Sequence, residues 1–315
     1  MTQIHQKFDV HSLSHLSSLQ NEYRPILDDL SIVIPTLGRD ILEQCLFWIL
    51  SGSAWPKSLI IVQQGDNPKI ADWLNLVREK GIHIKHIPSI QRGRSAGINR
   101  GLEQVETPFV AITDDDCFVH KDWLLNIANE LRSEPKVVVT GRVVAEGEGM
   151  VVVVTSQARS VQDRPRLTFD SMSGGNMGTS LAVIRTVGLF EEDPVMSTAE
   201  DAEWSYRVLR NDISIVYEPN IVVAHFGWRD QSGRIEQYRN YALSHGGFYG
   251  KYLRRGDVFI LGRLLLHLLR ALRRWLVGFS KGDRESALIG KAYFLYLLPG
   301  ILAGMRSKIR PSVLR

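Results

Sequence analysis

The sequence predicts an α/β protein: a mixed, mostly parallel sheet with a C-terminal helical extension. Short runs rich in Val and Ile alternate with polar-faced stretches of roughly 10–15 residues as far as Thr113, the rhythm of strand–helix–strand units. One of those runs ends in three adjacent acids, Asp114, Asp115 and Asp116. From Arg234 onward, leucines and arginines recur at helical spacing. With 315 residues, 44% hydrophobic and 23% charged, the chain has room for one large domain and an appendage.

Residues 1–30 read as a polar, serine-rich leader without the basic start and apolar core of a signal peptide. His11 and His15 would share a helix face and suit a metal, but a mobile leader is the plainer reading. A buried strand at 31–35 opens the catalytic domain, taken as 31–233, and a helix over 40–51 follows. The strand at 58–64 is closed by Gly65, Asp66, Asn67 and Pro68. Next come a helix over 69–80, a strand at 82–87, a helix over 95–105 and the strand at 109–113 before the acids. Right-handed crossovers bring the C-terminal ends of these strands to one edge. That edge collects Pro35, Thr36, Arg39, the segment from Gln63 to Asp66, and the acids.

Beyond a helix over 121–132, the runs 136–145 and 150–156 suggest longer, twisted or antiparallel strands. A turn at Gly174, Gly175 and Asn176 precedes a short segment and a helix near 181–186. Residues 197–212 predict a helix capped by Ser197 or Thr198, with Glu200 and Asp201 in its first turn. Two short strands, 213–217 and 221–225, end at His225.

Residues 234–315 predict a basic, helical, amphipathic region. Arg263, His267, Arg270 and Arg274, at steps of 4, 3 and 4, share one helix face with leucines around the rest. This suits a helix lying in a membrane interface; a bundle helix packed on the catalytic domain is the alternative. The apolar stretch 287–305 contains Lys291 and Pro299, and Arg306, Lys308 and Arg310 follow it, as at a cytoplasmic face. Net charge is only +4, and no nucleic-acid-binding module is recognisable. Cys45 and Cys117 form no metal-type pair and fit a reducing cytoplasm. Cys117, next to the acids, is also a candidate catalytic thiol, though no histidine partner stands out.

Three adjacent carboxylates at a strand end repel one another unless a cation holds them. A hard divalent ion bridging phosphate oxygens is the usual one; a solvated acidic turn is the competing reading. Arg39, in the loop after the first strand, is placed for phosphate or base contact.

Three stretches resemble the inverting family 2 glycosyltransferases of GT-A fold. They are "IVIPTLGR" at the first strand, "GRSAGINRGLEQVETPFVAITDDDC" into the acids, and "AEDAEWSYRVLRNDISIVYEPNIVVAH" ending in a histidine. The resemblance implies a nucleotide-sugar donor and Mn²⁺ or Mg²⁺, with Asp116 and Asp114 toward the metal and Asp114 toward the ribose. His225 would complete the metal shell or contact the diphosphate, or be an ordinary strand-end histidine. Asp201 would be the general base, with Glu200 beside it orienting the loop or acceptor. Gly174 and Gly175 would admit the donor sugar, and Asn176 would bond a sugar hydroxyl or simply make a turn. Asn99 and Arg94 would reach the nucleotide or cap their helix, and Asp115 joins the donor-binding edge. Arg229 would pair with phosphate or lie on the surface. The family's usual acid at the end of the second strand is replaced by Gln63, Gln64, Gly65 and Asp66, so the base contact falls to Gln63 or Asp66. The Gln-x-x-Arg-Trp signature of processive synthases is absent, which favours single-sugar transfer.

The expected function is inverting transfer to a glycan or lipid-linked acceptor in cell-surface or exopolysaccharide synthesis. The expected location is the cytoplasm, peripheral to the inner face of the membrane through the C-terminal helices. Two alternatives remain: a nucleotidyltransferase of similar fold, although "PTLGRD" is poor in glycine for its phosphate loop, and a non-catalytic nucleotide- or glycan-binding membrane module.

Overall fold

Both faces of strand β1 (Ile26–Thr36) are buried and its side chains alternate between two cores: Ile32 and Ile34 join the one on one face of the sheet, Val33 the one on the other. The computed structural model describes residues 16, 24–147, 153–170, 172–227, 233–308 and 313–314. Most of the polar leader, the start of the strand expected from Met150, and Arg229 lie outside the described residues.

After β1 come helix α1 (Leu42–Leu50), β2 (Trp55–Gln63), α2 (Lys69–Glu79), β3 (His83–Pro88), α3 (Arg94–Leu102) and β4 (Phe109–Thr113). β1 pairs in parallel with both β2 and β4, and β2 with β3, as the alternation of elements requires. The second half adds β5 (Cys117–Val119), α4 (Trp123–Ser133), β6 (Val138–Gly147), β7 (Ser160–Gln162), β8 (Asn176–Ser180), α5 (Leu181–Val187), α6 (Glu200–Arg210) and β9 (Ile215–Gly227). The strand order is β3-β2-β1-β4-β8-β6-β9-β5, with β7 pairing β9. Residues of α1, α2 and α4 cover one face of this sheet, and residues of α3, α5 and α6 the other.

β8 runs antiparallel to both of its neighbours, β4 and β6. Its first residue therefore lies at the edge where β4 ends, and Thr113 stands opposite Asn176. Asn176 thus begins a strand rather than completing a turn. Residues 215–227 form one strand instead of two, because both halves pair in parallel with β6. The register shifts at Gly141, where a Cβ would lie 1.9 Å from the Ile221 carbonyl oxygen. Neither Ser197 nor Thr198 caps α6: a short 3₁₀ turn at Pro194–Met196, capped by Asp193, fills that stretch.

Helices α7 (Gly233–Leu253), α8 (Val258–Ser280) and α9 (Arg284–Arg306) complete the chain. α7 and α9 meet backbone to backbone: a Cβ on Gly300 would lie 2.1 Å from the Leu243 carbonyl oxygen, and one on Gly304 2.1 Å from that of Gly247. α9 has the length and apolarity to cross a membrane, with 39% of its most apolar window buried in the protein. The C-terminal helices are tied to α6 by polar bonds. Tyr252 donates to Glu203 at 2.7 Å, and Tyr206 to Asp257 at 2.6 Å. Lys251 and Glu191 form an ion pair with both side chains fully buried.

The predicted basic face of α8 is divided: Arg263 is buried on Asp170 at 3.0 Å, and His267 accepts or donates a bond with the Tyr249 hydroxyl at 3.0 Å, while Arg270 and Arg274 are exposed. Leucines face out as well, with Leu265 53%, Leu269 65% and Leu276 58% exposed.

Replacing Lys251 with Met strands the Glu191 carboxylate in the interior, and a urea titration is expected to show a loss of about 3–5 kcal/mol. Adding Glu191→Leu should recover most of it. A single variant as stable as the parent would contradict the pairing.

Candidate functional site

The acids follow β4, and three chain segments converge on them because of the sheet's register. Opposite Thr113 and Asn176, the Gly174–Gly175 turn lies beside Asp114; a Cβ on Gly175 would sit 2.8 Å from Asp114 Oδ2. β9 runs parallel to β6 and so ends at the same edge, where His225 pairs with Cys117 of β5. The backbone N–H of Phe226 donates to the Asp116 carbonyl at 2.8 Å. In a sheet of this kind, the C-terminal edge is where ligands bind.

The three carboxylates have three different environments. Asp115 is 2% exposed and turned beneath the loop, where Thr36 Oγ1 donates to it at 2.6 Å and Arg39 Nε at 3.2 Å. Burial is the largest influence on its carboxyl and pushes it up against those donors. Asp115 is therefore held internally, by Thr36 and Arg39. Asp116 accepts from Arg39 Nη2 at 2.9 Å and lies 3.5 Å from His225 Nε2. Burial works against its charge, but His225 and Arg39 outweigh it and hold the carboxyl well below the usual range. Asp114 pairs with Arg94 Nε at 2.8 Å.

Arg94 is also the bridge to the other wall, with Nη1 donating to Glu200 at 3.0 Å. One nitrogen of Arg94, Nη2, and one oxygen of Glu200, Oε2, are buried without a partner among the described residues. Asp201, half-buried beside Glu200, accepts from the Gly174 N–H at 3.3 Å and the Ala202 N–H at 2.7 Å. Burial foremost, with the charge of Asp201 adding and Arg94 opposing, pushes the Glu200 carboxyl up to about 7.

Asp116, Cys117 and His225 place potential ligand atoms within 4.8 Å of one another. A carboxylate oxygen and an imidazole nitrogen suit a manganese-type ion, whereas the softer sulfur does not. Cys117 and Cys45 are buried, and burial raises both thiols well above the usual range, so neither is a nucleophile. The pair Asp116–His225 fits a hard divalent ion, with Asp114 turned to Arg94 instead of into the cluster.

Several predicted contacts are internal. Asn176 is fully buried, accepting from Trp123 Nε1 at 2.8 Å and donating to the Arg142 and Ile221 carbonyls. Its amide has no group left for a sugar hydroxyl. Asn99 neither caps α3 nor reaches the edge; it bonds both backbone groups of Phe190 and donates to Glu192. Arg39 spends its guanidinium on Asp115 and Asp116. Gln63 bonds the Gly65 carbonyl and His86, while Asp66 is exposed beside it. Pro35 is buried under α3, where a Cβ on Gly97 would meet it at 2.7 Å. The bridging role of Arg94 escaped the sequence, since its partners lie 20 and 106 residues away.

Residues 31–185 match the model of Glycosyl transferase family 2. Over 153 residues, 46% of its length, the chain is 28% identical to the pre-mycofactocin glycosyltransferase of Mycobacterium tuberculosis. The match covers 32% of that relative, so the chain spans about a third of its length. In fold the chain is similar to the mannosyltransferase PcManGT from Pyrobaculum calidifontis, a complex with GDP-Man and Mn²⁺. The TM-score is 0.57 at 14% identity, covering 90% of this chain and 87% of that one. It is also similar to TarS of S. aureus, with TM-score 0.54 and 15% identity over 84% of this chain and 55% of that one. The architecture is the GT-A fold of glycosyltransferases, carrying a C-terminal helical extension. Residues 31–185, just under half of the chain, carry this similarity to glycosyl transferase family 2.

The raised carboxyl of Glu200 makes a stability prediction. Its favourable contribution is full below the usual carboxyl value of 4.5 and is lost as pH rises through about 7. Between roughly pH 5 and pH 8 the parent protein should lose stability relative to Glu200→Gln. Parallel melting curves across that range would contradict the assignment.

Proposed function

We propose that this chain transfers a single sugar from a nucleotide-sugar donor to a glycan or lipid-linked acceptor, with a divalent metal and inversion at the anomeric carbon. One observation carries the reading: Asp114, Asp116 and His225 stand on one side of the Gly174–Gly175 turn, and Asp201 is bonded to its other side. A diphosphate and a hydroxyl acceptor need those two kinds of group, a cation-holding edge and a carboxylate base, a few ångströms apart.

Asp116 and His225 would hold the ion, which when bound neutralises the charge growing on the diphosphate as the sugar–phosphate bond breaks. Asp114, fixed by Arg94, faces the ribose of the donor, and Gly174 and Gly175 leave space for the sugar. An Asp201 carboxylate oxygen takes the proton of the acceptor hydroxyl as that oxygen attacks from the face opposite the leaving group. Glu200 and Arg94 position that wall. Asp66, exposed at the end of β2, and Gln63 are the groups nearest the edge where the base of the nucleotide would lie. The outward leucines of α8 and the exposed Leu295, Leu298 and Leu302 of α9 support attachment to a membrane surface, where the cytoplasmic face supplies such acceptors. The pathway we favour is cell-surface or exopolysaccharide assembly.

Nucleoside diphosphate release from a panel of nucleotide sugars, with Mn²⁺ and membrane lipid extract, tests the reading. Release should be confined to one or a few donors and abolished by chelator. It should fall by about two orders of magnitude or more in Asp116→Ala. Release of inorganic diphosphate would point to nucleotidyl transfer, and release insensitive to chelator would contradict the metal role.

A further inference from the structure

A cavity of about 560 Å³ opens between α8, α9 and the segment containing Leu167 and Phe169. Four cations line it, Arg270, Arg273, Arg274 and Lys281, against one carboxylate, Asp283, a surplus of three positive charges. Asp283 is already engaged in capping α9, where it accepts from the Ser286 N–H at 3.0 Å. None of the four cations forms an ion pair among the described residues. All four are exposed, whereas Arg263, about two turns before Arg270, is buried on Asp170.

The rest of the wall is mostly apolar, with Thr168, Ser286 and His267 as polar members. Leu167 is 46% exposed and Phe169 53%, and Ile289 and Tyr293 of α9 close the inner side. Arg270, Arg274, Val277 and Lys281 recur three or four residues apart, forming a ribbon along one flank of α8. Beside it runs a second ribbon on the outward face: Val258, Leu261, Leu265, Leu269, Leu276 and Phe279. That ribbon follows a 23-residue helix, roughly 33 Å long. A positive recess bordered by a long apolar stripe complements a ligand with an anionic head and a hydrocarbon tail.

The inner end of the cavity approaches the catalytic wall. Phe169 lies edge-on to His267 at 5.7 Å and to His245 at 6.1 Å. His245 in turn is close enough to Asp201 to feel its charge.

We infer that this cavity binds the phosphate-bearing headgroup of a lipid acceptor, with Arg270, Arg273, Arg274 and Lys281 as its counter-charges and the hydrocarbon chain along the leucine ribbon of α8. Identifying the lipid as the acceptor rests on the glycosyl-transfer reading; the binding itself does not.

The test is sedimentation of the full chain with vesicles, at physiological salt and without donor or metal. The vesicles are phosphatidylcholine alone and phosphatidylcholine mixed with phosphatidic acid. Binding should favour the phosphatidic acid vesicles and weaken about tenfold or more in Arg270→Glu with Arg274→Glu. Reversing two exposed charges elsewhere, Lys136→Glu with Arg185→Glu, should change it little. Leu265→Gln with Leu269→Gln, both at exposed positions, should also weaken it. Equal binding to both vesicles, or equal losses from the two pairs of charge reversals, would overturn the site. So would failure to bind vesicles while inorganic diphosphate alone protects Arg270 and Arg274 from chemical modification, which would mark a free-anion site. Because donor and metal are absent, failure here is distinguishable from failure of donor turnover.

Discussion

Five carboxylates stand at one edge of the sheet, Asp114, Asp115, Asp116, Glu200 and Asp201; two guanidiniums pair with four of them, and Asp201 accepts from the Gly174 and Ala202 N–H groups. Arg39 secures Asp115 and Asp116 from below; Arg94 spans the cleft from Asp114 to Glu200. Like charges this close cost several kcal/mol when desolvated, and the two arginines offset part of that cost. The arrangement leaves an excess of negative charge, which is what a divalent ion with a diphosphate needs on its far side. Burial foremost, with the charge of Asp201 adding, pushes the Glu200 carboxyl up to about 7 at that wall. Strain of this kind concentrates at working sites.

The helix that carries Glu200 and Asp201 is held from behind as well. Glu203 and Tyr206 of α6 bond Tyr252 and Asp257, and buried Lys251 reaches the loop at Glu191. The Glu200–Asp201 end of α6 is thus on a helix tied to the C-terminal helices as well as to the sheet. Close glycine contacts between α7 and α9 make that support rigid, and the outward leucines of α8 lie on the same body. A membrane-bound acceptor and the catalytic wall would then share one scaffold.

The parallel half was legible in the sequence because each strand is a short apolar run bounded by turn-forming residues, and each helix has one polar side. β8 was not: Asn176, Met177, Gly178, Thr179 and Ser180 carry no β-branched run, and the strand exists because β4 and β6 both need a partner. β5, of three residues, is too short to leave a pattern. The acids, Asp201 and His225 could be singled out as candidates because residue type and order suffice to mark them. For Asn99 and Asn176 the sequence shows that an amide is present, not which way it points; in the structure both are internal braces. For α8, periodicity revealed two faces but not which would meet the protein. Asp170, placed by the loop before β8, drew Arg263 inward.

The central claim is that the metal-holding edge binds the donor while Asp201, on the opposite wall, performs the proton transfer. Donor affinity and turnover measured side by side in Asp201→Asn and Asp116→Asn test it most directly. Asp201→Asn should keep donor affinity within about threefold yet lose roughly 10²–10⁴ in turnover, the range for removing a general base. Asp116→Asn should lose both. Turnover within tenfold of the parent in Asp201→Asn would contradict the account.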